Sequence, residues 1–312
     1  YWIIQNLVFC DSIFIPSVGI IICGNTNKNK RKKEIGKQLP SLAFQDEGGF
    51  NGIINGYHRP YHFFYEKLYA VSELIKNRVC CDYVNTTGAF VDLQSISKKF
   101  NYKNSIKSKG FYFLPSKMEY NRTPRRYFEE MKDIIVNNSW RPSEILETSD
   151  CVFWFGVSLE KREFLERDDV ILDIIETVKN RYESPVFIID GLTRAHELEK
   201  STFIAENCAK EMEFYKKARN HFPESKFVNM IGATAEEKIN IGSLVDFYFS
   251  SYLTDSIWTS AFGAAPGVAY RPVSAFGRGS IMHPLTHQVP KNKVKDIGET
   301  STGDYDGQSI SI

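Results

Sequence analysis

The densest group of reactive side chains in the first half of the chain contains two histidines. His58 and Arg59 come just before a predicted helix, and His62 follows His58 by one helical turn. Because imidazole titrates near neutral pH, His58 is suited to act as a general base on a hydroxyl group, with Arg59 and His62 on the side of that substrate. The acids Asp46 and Glu47 compete for the role of base. Packing of both imidazoles among the neighbouring aromatic residues is the structural alternative.

A second set of polar residues follows successive predicted strands in the second half of the chain. Ligands of open α/β sheets bind beyond the carboxyl ends of the strands, so these positions are the candidates for a binding site. Hydroxyls and arginine bind phosphate, and aspartate accepts hydrogen bonds from sugar hydroxyls. The candidates are Ser158, Arg162, Asp190, Gly191, Ser250, Thr254, Asp255 and Ser256.

Each member of this second set also has a structural interpretation that the sequence leaves open. Arg162 is placed to pair with Glu163 or Glu166 on its own short helix. Asp190-Gly191 fits a tight turn after a strand, and residues 254–256 fit the cap of the next helix. Capping and ligand binding are compatible at the last of these positions.

Several motifs that would identify other chemistry are missing from the sequence. There is no GxGxxG after a predicted strand, no GxxxxGK[ST], no GxSxG, no HExxH and no Cys/His cluster with zinc spacing. These absences disfavour dinucleotide dehydrogenases, P-loop enzymes and common hydrolases. One DxD motif, Asp304-Tyr305-Asp306, lies in a Gly-rich tail, where chance accounts for it. We therefore expect neither a metal ion nor a bound cofactor.

The elements that must position these residues alternate between strand and helix. From Cys151 onwards, strands are predicted at 151–157, 185–189, 226–231, 245–250 and 268–270, with helices at 170–182, 197–222, 234–244 and 256–264. Such alternation predicts a parallel sheet with helices on both faces.

The first half is less regular. Apolar runs at 2–9 and 14–23, joined by Asp11-Ser12, predict strands, and helices are predicted at 60–76 and 125–136. We expect an N-terminal domain at 1–149, missing part of its start since there is no initiator Met, a Rossmann-like domain at 150–290, and a tail at 291–312.

Composition excludes some classes of partner. Among 312 residues, 39 basic side chains face 38 acidic ones, a formal net charge of +1 that argues against a nucleic-acid-binding protein. Six cysteines without a CxxC pair indicate reduced thiols and a cytoplasmic location. The basic run at residues 28–37, from Lys28 to Lys37, is either a solvated loop or a patch for anionic lipid or a polyanionic acceptor at the inner face of the membrane.

Two segments of the second half resemble the nucleotide-sugar-binding domain of glycosyltransferases with the GT-B fold. Residues 245–270, VDFYFSSYLTDSIWTSAFGAAPGVAY, resemble its late strand–loop–helix–strand, in which the helix opens at the donor diphosphate. Residues 155–162, FGVSLEKR, resemble its first loop, where a basic residue meets the diphosphate. The resemblance extends over residues 150–290 and lacks the E-x7-E motif of the best-known families, which leaves the stereochemistry of transfer open.

This resemblance implies an α/β fold of two Rossmann-like domains facing a cleft. The implied activity is transfer of a sugar from a nucleotide-sugar donor to a glycan or lipid-linked acceptor in polysaccharide biosynthesis, without a metal ion. A UDP- or GDP-sugar is favoured over a CMP-sugar. The diphosphate would lie against Arg162 and the helix start near Ser256, and Asp190 or Asp255 would contact ribose or sugar.

Three short motifs resemble those of bacterial sialyltransferases, which use CMP-sugars. They are Asp46-Glu47-Gly48, the serine pair Ser250-Ser251 and His283-Pro284, although the last two stand in the opposite order to that family. A CMP-sugar-dependent transferase is therefore one alternative. A second alternative is a non-catalytic two-domain protein that binds sugar or nucleotide. A third is an epimerase or hydrolase of nucleotide-sugars.

Overall fold

The computed structural model divides into two compact units, Tyr1–Met118 and Glu119–Ile312. Each unit contains a parallel sheet, so the parallel α/β architecture predicted from the sequence is confirmed. The residues that the structure describes are 2–6, 9–15, 20–23, 50–55, 60, 63–85, 89–104, 111–113, 125–136, 141–158, 166–251, 255–270, 299–300 and 310–311.

The first unit holds an antiparallel sheet and a parallel one. Strands β1 (Trp2–Asn6), β2 (Phe9–Ile15) and β3 (Ile20–Cys23) pair antiparallel in that order. The prediction that Asp11-Ser12 joins two strands was wrong, because both residues lie inside β2. Ser12 pairs with Ile4 of β1 and with Cys23 of β3, and this pairing on both sides outweighs the weak strand preference of serine, whereas Asp11 lies at the register shift between β1 and β2.

The parallel sheet of the first unit has the order β6-β5-β4-β7 among its described strands. Its strands pair parallel throughout. The chain therefore adds β5 and β6 on one side of β4, and then returns to place β7 on the other. The strands are β4 (Phe50–Asn55), β5 (Cys81–Asn85), β6 (Phe100–Tyr102) and β7 (Phe111–Phe113).

The second unit is built on a longer parallel sheet with the same winding. Its described strands have the order β10-β9-β8-β11-β12, so the chain adds two strands on one side of β8 and two on the other. Two short strands, β13 and β14, pair antiparallel near the end of the chain. The strands are β8 (Cys151–Gly156), β9 (Pro185–Asp190), β10 (Lys226–Asn229), β11 (Phe247–Ser251), β12 (Gly267–Tyr270), β13 (Glu299–Thr300) and β14 (Ile310–Ser311).

Helices connect these strands in both units, and two of the described helical segments are π-helices. The first π-helix, Phe63–Lys67, runs directly into α1, and the second, Ile257–Phe262, replaces the α-helix predicted between β11 and β12. The α-helices are α1 (Leu68–Lys76), α2 (Leu93–Ile96), α3 (Arg125–Ile135), α4 (Glu144–Glu147), α5 (Arg167–Lys179), α6 (Lys200–Asn207), α7 (Ala209–His221) and α8 (Ala235–Gly242).

The single helix predicted over residues 197–222 is interrupted at Cys208. The Cys208 N–H donates to the Ile204 carbonyl and ends α6, and the Cys208 carbonyl accepts from Met212 and begins α7. The Cys208 side chain is fully buried in the core cluster, whereas α6 itself buries none of its residues. The break thus separates the short α6, which buries none of its own residues, from α7, which packs on the core through Phe214 and Ala218.

Both faces of the second sheet are buried. Phe155 and Phe187 pack in one hydrophobic cluster with Ile175 of α5 and Phe214 of α7. Side chains alternate between the faces of a strand, so Trp154, which is also fully buried, points to the opposite face. Nearly continuous apolar strands of this kind are typical of parallel sheets covered on both sides. Polar residues are consequently left for the ends of the strands.

The second π-helix packs closely against its neighbours in the second unit. Phe262 makes an edge-to-face contact with Phe128 of α3, with ring centroids 5.1 Å apart. A Cβ atom added at Gly242, the last residue of α8, would lie 2.6 Å from the carbonyl oxygen of Trp258. Gly242 therefore permits backbone contact between α8 and this π-helix.

Across the residues that the structure describes, no helix combines the length and the apolar character needed to cross a membrane.

We predict that Gly242→Ala lowers the free energy of unfolding by about 1–3 kcal/mol, because the new methyl group would overlap backbone that has no free rotamer to move away. Chemical denaturation of the purified protein measures the change. Glu213→Ala, at an exposed position on α7, is the control and should change stability by less than about 0.5 kcal/mol. Equal stability of the two variants would contradict the close contact.

Candidate functional site

The second sheet reverses its strand order between β8 and β11. β9 and β10 follow β8 on one side, and β11 and β12 lie on the other. The connections that leave β8 and β11 therefore run in opposite directions. In open α/β sheets, ligands bind outside the carboxyl ends of the strands where the strand order reverses in this way. We call the carboxyl ends of β8, β9 and β11, with the residues directly after them, the switch-point edge.

Gly156 is the residue around which this edge is assembled. It pairs with Asp190 across β8 and β9. On the other side, Phe155 pairs with Phe249, which brings Ser250 next to Gly156. A Cβ atom at Gly156 would lie 2.6 Å from the Ser250 Cβ and 3.2 Å from the Asp255 Cβ. The missing side chain therefore lets three predicted site residues meet.

Asp190 forms a buried ion pair with Lys238 of α8. The Lys238 Nζ lies 2.5 Å from Asp190 Oδ1, and the two side chains are 0% and 1% exposed. The same ammonium donates a hydrogen bond of 2.7 Å to the Gly191 carbonyl oxygen. One cation thus holds both residues of the predicted Asp190-Gly191 turn.

Two polar side-chain atoms at the edge are poorly satisfied among the described residues, although the Gly191 backbone N–H lies close enough to the Asp190 carboxyl to lower its pKa. Oδ2 of Asp190 and Oγ of Ser250 are buried, and neither makes a hydrogen bond of ordinary geometry with the described residues. A buried oxygen without a partner costs about 1–3 kcal/mol, so a bound ligand that supplied a donor would relieve the penalty. This is the feature of the edge that points most directly to a ligand.

Burial also perturbs the ionisation of Asp190. It raises the pKa of this carboxyl to about 7, against the opposing effect of the Lys238 ammonium, and the Asp255 carboxylate raises the pKa further. Two carboxyl groups therefore share the edge closely enough to interact. Perturbed carboxyl groups of this kind concentrate at functional sites.

Asp255 is held by a hydroxyl from the preceding strand. Ser251, which is partly exposed, donates a hydrogen bond of 2.6 Å from its Oγ to Asp255 Oδ2. The hydroxyl of Tyr270, from β12, lies 3.5 Å from the Gly156 carbonyl oxygen. Burial raises the pKa of Tyr270, and the Asp255 carboxylate adds to the shift. The tyrosine therefore stays neutral beside Asp255.

A second buried cation, Arg167, lies where the chain leaves β8. Its Nη1 donates 2.8 Å to the Val157 carbonyl oxygen, and its Nη2 donates 2.6 Å to Asp168. The guanidinium also lies over the ring of Phe214, 5.4 Å from the centroid. In this arrangement Arg167 secures the start of α5 against the end of the strand.

The structure brings together most of the predicted binding residues that it describes. Asp190, Ser250 and Asp255 meet around Gly156. Ser158 follows β8 and is partly exposed, and Ser256 is the buried N-cap residue of the second π-helix. The positions of these residues do not test ligand binding, so their binding roles stay predictions. The candidates outside the described residues are Asp46, Glu47, His58, Arg59, His62, Arg162 and Thr254, together with Lys28 to Lys37, Asp304, Asp306 and His283.

The first unit has a corresponding switch point between β4 and β7. β4 ends at Asn55, whose Nδ2 donates 3.0 Å to Asn85 Oδ1 at the end of β5. His58 follows Asn55 by three residues in the sequence. His58 itself lies outside the described residues, so its relation to this edge is known from the sequence alone.

Sequence reasoning missed Lys238 and Arg167. Lys238 sits three residues after Ala235 and next to Ile239, so it occupies the buried stripe of α8, where an unpaired charge would not be tolerated. Arg167 begins a helix, where the helix dipole disfavours a cation. Two features of the sequence could have identified these residues: the charge of Lys238 within an apolar helical stripe, and the positive charge of Arg167 at the start of a helix.

Within the part of the chain that the structure describes, no group of three or more His, Cys, Asp or Glu side chains is arranged to hold a metal ion.

Comparison with known proteins gives a distant structural likeness. No protein-family model and no curated protein matches the chain. A solved structure of E. coli ADP-heptose LPS heptosyltransferase II is 8% identical, with a TM-score of 0.45, and the match covers 84% of this chain and 93% of that one. Two structures of the trehalose-6-phosphate synthase OtsA are 10% and 12% identical, with TM-scores of 0.36 and 0.37, and the matches cover 84% of this chain and 69% and 63% of theirs. TM-scores below 0.5 do not establish a shared fold.

We predict that Asp190→Asn flattens the dependence of stability on pH. The raised pKa means that folded Asp190 holds its proton from about pH 4, where the unfolded residue loses it, up to about 7. Over this window the stability that Asp190 contributes falls as the pH rises, by at most about 1.4 kcal/mol per pH unit. Denaturant unfolding at a series of pH values measures the slope for both proteins.

The exposed Asp173→Asn variant is the control and should keep the wild-type slope. A slope in the Asp190→Asn variant that matches wild type would show that Asp190 is not the group responsible.

Proposed function

We propose that the protein is a glycosyltransferase that moves a sugar from a nucleotide-sugar to a glycan or lipid-linked acceptor. The observation that carries the proposal is the pair of poorly satisfied buried atoms at the switch-point edge, Oδ2 of Asp190 and Oγ of Ser250. They lie where a sheet of this winding binds ligands. Both atoms are buried, and a ligand that donates to them would relieve the cost of their burial.

The charges at the edge favour the hydroxyl-bearing part of such a donor. Asp190 and Asp255 are two carboxyl groups beside a single ammonium, and carboxylates accept hydrogen bonds from hydroxyls while repelling phosphate. We therefore assign ribose or sugar hydroxyls to Asp190 and Asp255. The diphosphate is assigned to Arg162 and to backbone N–H groups, with Ser158, Thr254 and Ser256 beside them.

The reaction needs a base and a stabilised leaving group. In the proposed mechanism His58 takes the proton of the acceptor hydroxyl. The acceptor oxygen then forms a bond to the anomeric carbon of the donor sugar as the bond between that carbon and the diphosphate oxygen breaks. Arg162 and backbone N–H groups then neutralise the leaving diphosphate without a metal ion. Asp46 or Glu47 is the alternative base, and Arg59 and His62 are assigned to acceptor contacts.

A thermal-shift screen with UDP, GDP, CMP and their sugar conjugates, without added metal, tests the donor site. A ligand that binds only the folded protein raises the melting temperature, by a few degrees at about 100 times its Kd. We expect UDP or GDP and the matching sugar conjugate to do so. A shift with CMP ligands alone would favour the sialyltransferase-like alternative, and no shift with any nucleotide would contradict the proposal.

We predict that His58→Ala lowers turnover roughly 100- to 10,000-fold, the usual effect of losing a general base, while donor affinity stays within about twofold. Product formation with the donor found by the screen and calorimetric donor binding measure the two effects. The exposed His221→Ala variant is the control.

Unchanged turnover in His58→Ala would transfer the role of base to Asp46 or Glu47, to be tested by Asp46→Asn and Glu47→Gln. Donor binding by the wild-type protein without turnover on any acceptor would instead identify a non-catalytic binder.

A further inference from the structure

Lys238 is a fully buried cation that connects separate segments of the switch-point edge. On one side its ammonium binds the Asp190 carboxylate and the Gly191 carbonyl, at the exit of β9. On another it lies over the ring of Trp258 in the second π-helix, 5.8 Å from the centroid. Burial of an ammonium costs several kcal/mol unless close partners compensate. Here all the partners belong to segments that frame the candidate site.

We propose that Lys238 is a positioning residue for the ligand site. Lys238 holds the exit of β9 and the second π-helix in the arrangement that binds the ligand. The proposal rests on the proposed function and assigns no ligand contact to Lys238 itself. Because the ammonium engages Oδ1 of Asp190, it leaves Oδ2 as the oxygen available to a ligand. A methionine would fill similar volume but would fix neither the carboxylate nor the Gly191 carbonyl.

The hydrogen bonds around the exit of β9 show what Lys238 would hold in place. The Val157 N–H donates 2.7 Å to the Asp190 carbonyl oxygen, across to the exit of β8. The Gly232 N–H donates 2.9 Å to the Leu192 carbonyl, across to the exit of β10. Both bonds are made by the segment from Asp190 to Leu192, which ends β9 and continues beyond it. Lys238 binds two residues of this segment, so it is placed to hold the segment against the exits of β8 and β10.

Other titratable groups lie around the Asp190–Lys238 pair. Asp190 comes from β9, Asp255 precedes the second π-helix, and Glu211 of α7 is buried and approaches Gly191. Cys208 lies close enough for Glu211, Lys238 and Asp190 all to affect its thiol, whose pKa is raised chiefly by burial. Lys238 is the one cation of this group of five side chains. Its removal would take away the ammonium that lowers the pKa of Asp190, so Asp190 would stay protonated to higher pH.

Hydrogen–deuterium exchange of the ligand-free protein tests the positioning role first. In Lys238→Met we expect the amides of Val157 and Gly232, and those of the second π-helix, to exchange roughly 10- to 100-fold faster, the range for losing a hydrogen bond to a charged group. Amides in the middle of α5 should keep their rates. Ile175→Ala, in the core on α5 and fully buried, is the control for general destabilisation and should not reproduce this pattern.

Ligand binding forms the second arm. The probe is whichever of UDP, GDP and CMP raises the melting temperature of the wild-type protein, and its Kd is measured from pH 5.5 to 8.5. We expect Lys238→Met to weaken binding roughly 10- to 100-fold and to move the midpoint of the pH dependence upwards. Lys238→Arg, which keeps a cation, should recover part of the affinity. Ile175→Ala should keep both the affinity and the midpoint.

The two arms separate failure of this inference from failure of the proposed function. Unchanged local exchange in Lys238→Met would overturn the positioning role, whatever the ligand result. Faster local exchange with wild-type affinity and midpoint would also overturn it, because the ligand would not depend on the held arrangement. Faster local exchange in a protein whose wild type binds no nucleotide would overturn the proposed function and leave Lys238 as the residue that orders this edge.

Discussion

A parallel strand that is buried on both faces can present polar groups only at its ends. The strands of the second unit are almost continuously apolar, and helices and a core cluster cover them. Every functional group of this unit must therefore come from the few residues that end a strand or follow it. That constraint, more than any single motif, explains why Asp190, Ser250 and Asp255 meet at one edge. It also explains why the edge accumulates charges that the strands cannot hold.

The strands of the parallel sheet could be predicted from the sequence because buried parallel strands are apolar runs with a strong local pattern. The predicted and observed bounds of β8, β9 and β12 agree to within one residue. The predicted start of α8 at Thr234 also agrees, because Thr234 and Glu237 form a capping box there. Local signals of this kind depend on neighbours in sequence, which are visible without a structure. The strand order does not depend on neighbours in sequence, so the position of the switch point came from the structure alone.

What sequence reasoning could not supply are the features set by distant packing. The break at Cys208 arises because that side chain joins the core, and the second π-helix arises where Gly242 and Trp258 bring two backbones together. Lys238 was overlooked for the same reason: its partners Asp190 and Gly191 are 48 and 47 residues away in sequence. Periodicity identifies the buried stripe of α8, but it does not identify the carboxylate that makes a buried lysine tolerable.

The pairing of β11 with β8 has a consequence for how the chain folds. Asp246, just before β11, accepts a hydrogen bond from Val152 of β8, and the two residues are 94 positions apart. Closing so long a loop is slow compared with the joining of β8 to β9 through α5, since contacts between distant residues carry a larger entropic barrier. During synthesis, β8, β9 and β10 leave the ribosome before β11 does. A nascent chain at that stage can form part of its sheet, but the edge at which Gly156 brings Asp190 and Ser250 together does not yet exist.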